Sequence, residues 1–173
     1  GESENTTHLT VADENGNVVS MTQTLNDAFG SRVTVPGTGV ILNNTMYNFD
    51  PHPGTANSIS PGKRVLSSMA PIIVFKDGRP YMALGTPGGR RIFGSVLQGV
   101  LNVIDHGMSL QEAVEAPRIW TQGQNLELEP GIDGKVKETL SEFGHELEHV
   151  DRVAGGMNGI QFTSDGLIHG AAC

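Results

Sequence analysis

The stretch Asn5-Thr6-Thr7-His8 holds a threonine where chemistry could begin. If the Asn5–Thr6 peptide bond is cut, Thr6 carries a side-chain hydroxyl and a free α-amine on one residue. A hydroxyl is nearly inert at its own pKa and needs a neighbouring base to take its proton. A terminal amine, with a pKa of about 8, does this near neutrality. The same residues also read as the polar start of a strand, so other features must decide between the two readings.

Gly85-Thr86-Pro87-Gly88-Gly89 ends one predicted strand and opens a predicted helix. Consecutive glycines there leave backbone N–H groups bare at the positive end of a helix dipole, where they can stabilise a developing oxyanion. The alternative is a tight strand-to-helix turn that needs glycine only for its dihedrals. A phosphate loop fits poorly, because no Lys-Ser/Thr pair follows at P-loop spacing and no Gly-x-Gly-x-x-Gly is present. Ser67 and Ser68 follow the basic pair Lys63-Arg64 and precede an apolar strand. Two adjacent hydroxyls can donate to one carboxylate, although such pairs commonly satisfy local backbone groups. Asn43 and Asn44 read first as turn residues.

His145-Glu146-Leu147-Glu148-His149 fits the letters of a zinc-protease motif. That motif requires a helix, so that two histidines one turn apart meet one metal. Gly144 has just ended a helix, and these residues alternate like a strand. The two histidines would then lie about 13 Å apart at strand rise. No metal site is expected. His52, His106 and His169 are isolated, and Glu127/Glu129 read as a solvated strand face.

These groups must be held by elements that the pattern predicts. Residues 8–12 and 17–24 form a hairpin around Asp13-Glu14-Asn15-Gly16, which sets Thr6 at the start of its first strand. Asn26 to Gly39 is glycine-rich loop, and Gly39-Val40-Ile41-Leu42 reads as a short buried strand. Residues 50–63 are loop, with Pro51, Pro53 and Pro61. Residues 71–75 and 80–84 form a second hairpin whose apolar runs imply strands covered on both faces. Ile92, Val96, Val100, Val103 and Ile104 mark a helix ended by Gly107. Ser109 and Glu112 make a capping box for a short helix that stops before Pro117. Val136, Leu140 and Phe143 mark a third helix, and strands near 146–150 and 158–163 follow. The fold class is α+β, a largely antiparallel sheet with helices on one face.

Composition bounds the alternatives. The chain has 173 residues, enough for one domain with a core. Its net charge of −8, with no basic stripe, argues against a nucleic-acid partner. No apolar run reaches the ~20 residues that span a bilayer. Glycine is abundant, 23 residues, but no long run is low in complexity, which points to tight turns and not disorder. The lone cysteine, Cys173, excludes an internal disulfide framework. No signal peptide is visible. The abrupt start leaves room for one upstream of a processed fragment, and the terminal Cys173 suggests that a C-terminal tail is missing.

Thr6-Thr7-His8, Thr24-Leu25-Asn26, Leu42-Asn43-Asn44, Leu66-Ser67-Ser68-Met69 and Thr86-Pro87-Gly88-Gly89 occur in this order, with Ala116-Pro117-Arg118 and Gly170-Ala171 beyond them. The ordered set resembles the small subunit of γ-glutamyltransferase, one of the N-terminal nucleophile hydrolases. The resemblance covers essentially the whole chain. It implies a precursor that cuts itself at Asn5-Thr6, so that residues 1–5 close the large subunit and residues 6–173 form the small-subunit catalytic domain. It implies a four-layer αββα sandwich shared with that large subunit, and favours a periplasmic or secreted setting over a cytoplasmic one. By the same likeness Thr6 is the nucleophile and Thr24 the threonine that hydrogen-bonds it. Asn26 holds the substrate α-amino group, Ser67 and Ser68 its α-carboxylate, and Gly88 and Gly89 form the oxyanion hole. The implied reaction passes a γ-glutamyl group, from a donor such as glutathione, through a Thr6 ester to water or an amino acid. No metal or organic cofactor is implied.

The chain departs from the family's pattern at two substrate-binding positions. Many members carry Gln or Glu at the position of Thr45 and Asp at that of Asn48, both touching the α-amino group. Residues 50–60 are also too short for the lid loop that some relatives carry. Relaxed specificity follows from these changes, so a related amidohydrolase acting on glutaryl, cephalosporin or poly-γ-glutamate substrates is the alternative. A third reading, an inactive assembly subunit, sits poorly with the joint presence of Thr6, Thr24, Ser67, Ser68, Gly88 and Gly89.

Overall fold

The computed structural model describes residues 5–173. Of the expected junction, residues 1–4 lie outside the described part.

The first hairpin pairs β1 (Thr6–Ala12) with β2 (Val18–Thr24), antiparallel, with Thr6 opposite Thr24 and Ala12 opposite Val18. Its turn is built by Asp13, whose carboxylate accepts from the Asn15 and Asn17 amides at 3.0 and 2.9 Å, while Gly16 takes a φ of 82°. These bonds hold the Asp13 carboxyl below its ordinary value, the Asn17 contacts acting most strongly.

A four-stranded antiparallel sheet runs in the order β3 (Ile72–Lys76), β4 (Arg79–Gly85), β8 (Asn158–Phe162), β9 (Ile168–Ala172). Asp77 and Gly78, both with positive φ, make the two-residue turn between β3 and β4. Period two along β4 sends Met82 and Leu84 to one face and Ala83 and Gly85 to the other. Met82 and Leu84 are fully buried beneath α1 (Ile92–Ile104) and α2 (Leu110–Glu115), in a core with Ile92, Val96, Val103, Leu110, Val114 and Met157. Opposite, Gly85 faces the His8 ring so closely that a Cβ there would lie 2.3 Å from its Cε1. The hairpin is fastened to this sheet by Asn158 Nδ2 donating to His8 O at 3.0 Å and Ser20 Oγ donating to Leu84 O at 3.4 Å. Helices, sheet and hairpin therefore stack as α, β, β, three successive layers of the expected four.

The hairpin is inverted in polarity. Thr6, His8, Thr10, Ser20, Thr22 and Thr24 face the sheet, whereas Val11, Val19 and Met21 on the other side are exposed.

A third sheet joins β5 (Ile119–Trp120), β6 (Leu126–Leu128) and β7 (Leu147–His149), the last pair parallel. It docks on α1 through the Gln98 side chain, which donates to Ile119 O and accepts from Ile119 N, each at 2.9 Å. Between β6 and β7 runs α3 (Gly134–Glu142), capped by Asp133 and followed by Gly144 at φ 90°. The Ser109–Glu112 capping box forms as expected, the Ser109 amide donating to Glu112 at 2.8 Å.

Several local expectations are corrected. Residues 39–42 are neither a strand nor buried. Val40 and Leu42 are exposed, and only Ile41 makes an isolated bridge, to Thr34. Gly37 and Gly39 take positive φ and break the extension. β4 is covered on both faces, but β3 is an edge strand, with Phe75 61% exposed. Glu127 and Glu129 do not form a solvated face. Glu127 is paired with Arg91 at 2.6 Å, and Glu129 is buried against Arg118 at 3.2 Å. The strand expected around Glu127 forms as β6, whereas β5 and β9 are additional to the sequence reading.

Candidate active site

The register of the first hairpin puts Thr6 and Thr24 side by side on its sheet-facing side. Thr6 Oγ1 donates to Thr24 Oγ1 at 3.1 Å. Thr24 Oγ1 in turn lies 3.4 Å from the carbonyl oxygen of Asn5, the residue before the expected cut, and accepts from the Asn26 amide at 2.8 Å. Thr24 is thus the common partner of three expected site residues. Asn26 carries a φ of 74°, a conformation asparagine tolerates better than most residues, and this turns the chain out of β2 beside the two hydroxyls.

From Asn26 a series of hydrogen bonds leads around the site. Asn44 donates from its amide to Leu25 O at 3.1 Å and accepts from the Asp27 amide at 3.2 Å. Asn43 caps the next turn, accepting from the Thr45 amide at 2.9 Å, and a 3-10 turn over Thr45–Asn48 follows. Both asparagines therefore act as the turn residues their type suggests. Asn48 O accepts from Asn57 Nδ2 at 2.7 Å, and Asn57 Oδ1 accepts from the Leu66 amide at 3.2 Å. Asn57 thereby ties the segment bearing Thr45 and Asn48 to the one bearing Ser67 and Ser68. The sequence held no signal for it beyond an asparagine within a loop.

The two serines divide their roles. Ser67 is exposed and accepts from the Met69 amide two residues on, at 3.2 Å, so its own proton stays available. Ser68 is half-buried and donates to Gly89 O at 2.7 Å, joining the serine pair to the glycine turn. Gly88 and Gly89 have φ values of 140° and 59°, and Gly88 O accepts from the Arg91 amide at 3.1 Å as the chain enters α1. Thr6 and the turn are positioned through packing: β1 lies on β4, His8 meets Gly85, and Gly85 leads into the turn.

His8 is buried, with Nδ1 2.8 Å from Thr22 Oγ1 and Nε2 3.1 Å from Thr10 Oγ1. Burial lowers the pKa of its imidazole and favours the neutral ring. Its place two residues after Thr6, on the same strand face, was legible from period two, but its contact with Gly85 was not.

Among the described residues no group of three or more His, Cys, Asp and Glu side chains is placed to hold a metal ion. Leu147–His149 is an extended strand with Glu148 and His149 exposed, so the zinc-protease spacing acquires no helix. Among those residues, too, no helix is long and apolar enough to cross a membrane.

This geometry agrees with comparisons to known proteins. Residues 1–172 match the gamma-glutamyltranspeptidase family. The acylase ACY 1 proenzyme of Pseudomonas sp. (strain SE83) is 61% identical over 173 residues, 100% of this chain and 31% of that protein. The glutathione hydrolase proenzyme of Bacillus subtilis (strain 168) is 49% identical over 143 residues, 82% of this chain and 24% of that protein. A mutant gamma-glutamyltranspeptidase of Helicobacter pylori superposes with a TM-score of 0.86 at 39% identity, covering 96% of this chain and 97% of that chain. The chain thus spans between about a quarter and a third of the length of these curated relatives. With the ordered motifs, the Thr6–Thr24 pair and the shared α+β fold of an N-terminal nucleophile hydrolase, the chain belongs to the gamma-glutamyltranspeptidase family.

Proposed function

We propose that this chain carries the catalytic threonine of an enzyme that transfers or hydrolyses γ-glutamyl groups, with donors such as glutathione. The observation that carries the reading is the 3.1 Å contact between Thr6 Oγ1 and Thr24 Oγ1, set beside the Asn5 carbonyl. In a first step Thr6 Oγ1 attacks the Asn5 carbonyl carbon, and its proton passes to the Thr6 nitrogen as the C–N bond breaks. Water then hydrolyses the resulting ester and leaves a free amine on Thr6. Residues 1–5 remain on the other fragment, and residues 6–173 form the catalytic domain.

In turnover the freed amine takes the proton from Thr6 Oγ1 as the oxygen attacks the γ-carbonyl of the donor. Gly88 and Gly89 amides receive the oxyanion, and the leaving amine takes the proton back. Water or an amino acid releases the γ-glutamyl group from Thr6. Ser67 and Ser68 hold the donor's α-carboxylate, Ser67 with its available hydroxyl proton and Ser68 by turning its own from Gly89 O, and Asn26, Thr45 and Asn48 face its α-amino group. The partner is a large subunit from the same precursor, which the proenzyme names of the relatives and their greater length support. No cofactor is called upon.

A second reading, an acylase that removes glutaryl or cephalosporin side chains, is favoured by two observations. Thr45 and Asn48 are both neutral, and the Pseudomonas relative at 61% identity is named an acylase. The full-length precursor should self-cleave and then release p-nitroaniline from L-γ-glutamyl-p-nitroanilide. Faster release from glutaryl-p-nitroanilide would select the acylase, and release from neither would overturn both readings.

A further inference from the structure

Arg118 and Glu129 are 6% and 7% exposed. They occupy the position next to the Ile119–Leu128 rung of β5 and β6, where the Glu129 amide donates to Arg118 O at 3.0 Å. The carboxylate is fully engaged. Glu129 Oε2 accepts from the Arg118 amide at 2.9 Å and from Nε at 3.3 Å. Oε1 lies 3.2 Å from Arg118 Nη2 and accepts from the Val153 amide at 2.7 Å. The guanidinium reaches further, Nη1 donating to Gly155 O at 3.1 Å. One ion pair therefore grips both ends of Val153-Ala154-Gly155.

That segment backs the glycine turn. The Gly155 amide donates to Pro87 O at 2.9 Å, and Thr86 Oγ1 lies 2.9 Å from both Pro87 O and Gly155 O. A Cβ on Gly88 would lie 2.7 Å from Ala154 Cβ, and one on Gly155 would lie 2.5 Å from Pro87 Cγ. Turn and segment touch without slack, so a shift in one moves the other.

We propose that Arg118 and Glu129 are positioning residues for the Gly88 and Gly89 amides, acting through residues 153–155. The inference rests on the threonine acyl transfer proposed above. A buried ion pair is weak evidence for stability, since apolar residues of similar volume often serve as well. Apolar side chains cannot, however, grip the Val153 amide and the Gly155 carbonyl together. Oxyanion donors must sit within tenths of an ångström of their place, and small displacements of catalytic geometry cost large factors in rate. The pair's two backbone contacts supply that constraint.

The test uses the enzyme self-cleaved from its full-length precursor. An apolar pair, Arg118→Met with Glu129→Leu, should keep the melting temperature near wild type. It should lower kcat by about 10- to 100-fold and leave KM within about twofold. The Val153 amide, held by Glu129, and the Gly155 amide, which joins the tethered segment to Pro87 O, should exchange hydrogen at least about tenfold faster. If the apolar pair does not fold, the shape-matched Glu129→Gln carries the kcat and exchange expectations in weaker form, with a lowered melting temperature because Arg118 loses its counter-charge. Gly155→Ala, which leaves the ion pair intact, should also lower kcat more than it raises KM. Unchanged kcat in a folded variant overturns the proposal. If wild type cleaves neither the γ-glutamyl nor the glutaryl anilide, the reading of the reaction fails, and exchange alone decides. Faster exchange in the variants then upholds the tether, and unchanged exchange overturns it.

Discussion

Thr6 and Thr24 are direct cross-strand partners, and their hydroxyl oxygens lie 3.1 Å apart with Thr6 as donor. The same Thr24 oxygen stands 3.4 Å from Asn5 O, so one side chain addresses both the proposed nucleophile and the carbonyl proposed to be cut. Thr24→Val removes both contacts at nearly constant volume. It should slow self-cleavage of the precursor by about 100-fold, the lower part of the range for a lost acid–base partner. Thr6→Ala should abolish it. Intact mass over time reads both, and cleavage of either variant at the wild-type rate would remove these residues from the reaction.

A side chain on the glycine turn tests the oxyanion role. Gly89 has a φ of 59°, which a β-branched residue adopts only with strain, and a Cβ at Gly88 would strike Ala154. Gly89→Val should lower kcat by about 10²–10³, the usual loss for one oxyanion donor, with a smaller change in KM. An unchanged kcat in the folded variant would leave the turn as a connection only.

The amino pocket supplies a prediction of specificity. Thr45 and Asn48 carry no charge, and a neutral hydrogen bond is worth about 1 kcal/mol against about 1.5–3 for a charged one. Asn48→Asp should raise kcat/KM for the γ-glutamyl anilide about tenfold and leave the glutaryl anilide nearly unchanged. Measuring both substrates on both proteins cancels general damage. Strong wild-type preference for the γ-glutamyl compound, with no gain from Asn48→Asp, would assign the acid to another chain.

His8 should make stability pH-dependent near neutrality. Burial holds its folded pKa below the ordinary value of about 6.5, so just under that pH the unfolded chain binds a proton that the folded chain refuses. Stability therefore rises with pH through this window and is lost as pH falls. The lowered carboxyls of Asp13, Asp50, Glu112 and Asp165 act in a separate, more acid window, where protonation removes their hydrogen bonds. Melting temperatures from about pH 5 to 7.5 should climb less steeply for His8→Gln than for wild type. Parallel curves would exclude His8 as the source.

What the sequence disclosed depended on the range of the interaction. The Ser109–Glu112 box and the Asp13 turn are closed within four residues, so local chemistry named them. Glu129 gave no such sign, because its burial depends on Arg118 and Val153, 11 and 24 residues away in the chain. A two-residue strand such as β5 is too short to show a period. Residues 39–42 had the apolar letters of a strand, but beside glycines on positive φ their backbone bonds to residues 31–35 amount to no more than an isolated bridge. At the site, the ordered motifs named Thr6, Thr24 and the glycine turn. Asn57 and the Ser68–Gly89 bond are spatial facts, invisible until the loops are placed.

The inverted polarity of the first hairpin bears on how this chain behaves in solution by itself. Both long edges of the two-stranded ribbon are unpaired among the described residues, and Val11, Val19 and Met21 lie open beside them. An open strand edge next to an apolar face is a template for another copy, and no lysine blunts either edge of this one. The hairpin that carries Thr6 is thus also an adhesive surface. Handled at high concentration without a covering protein, it favours aggregation, and Val11→Lys with Val19→Lys would raise its solubility without touching the hydroxyls on the opposite side.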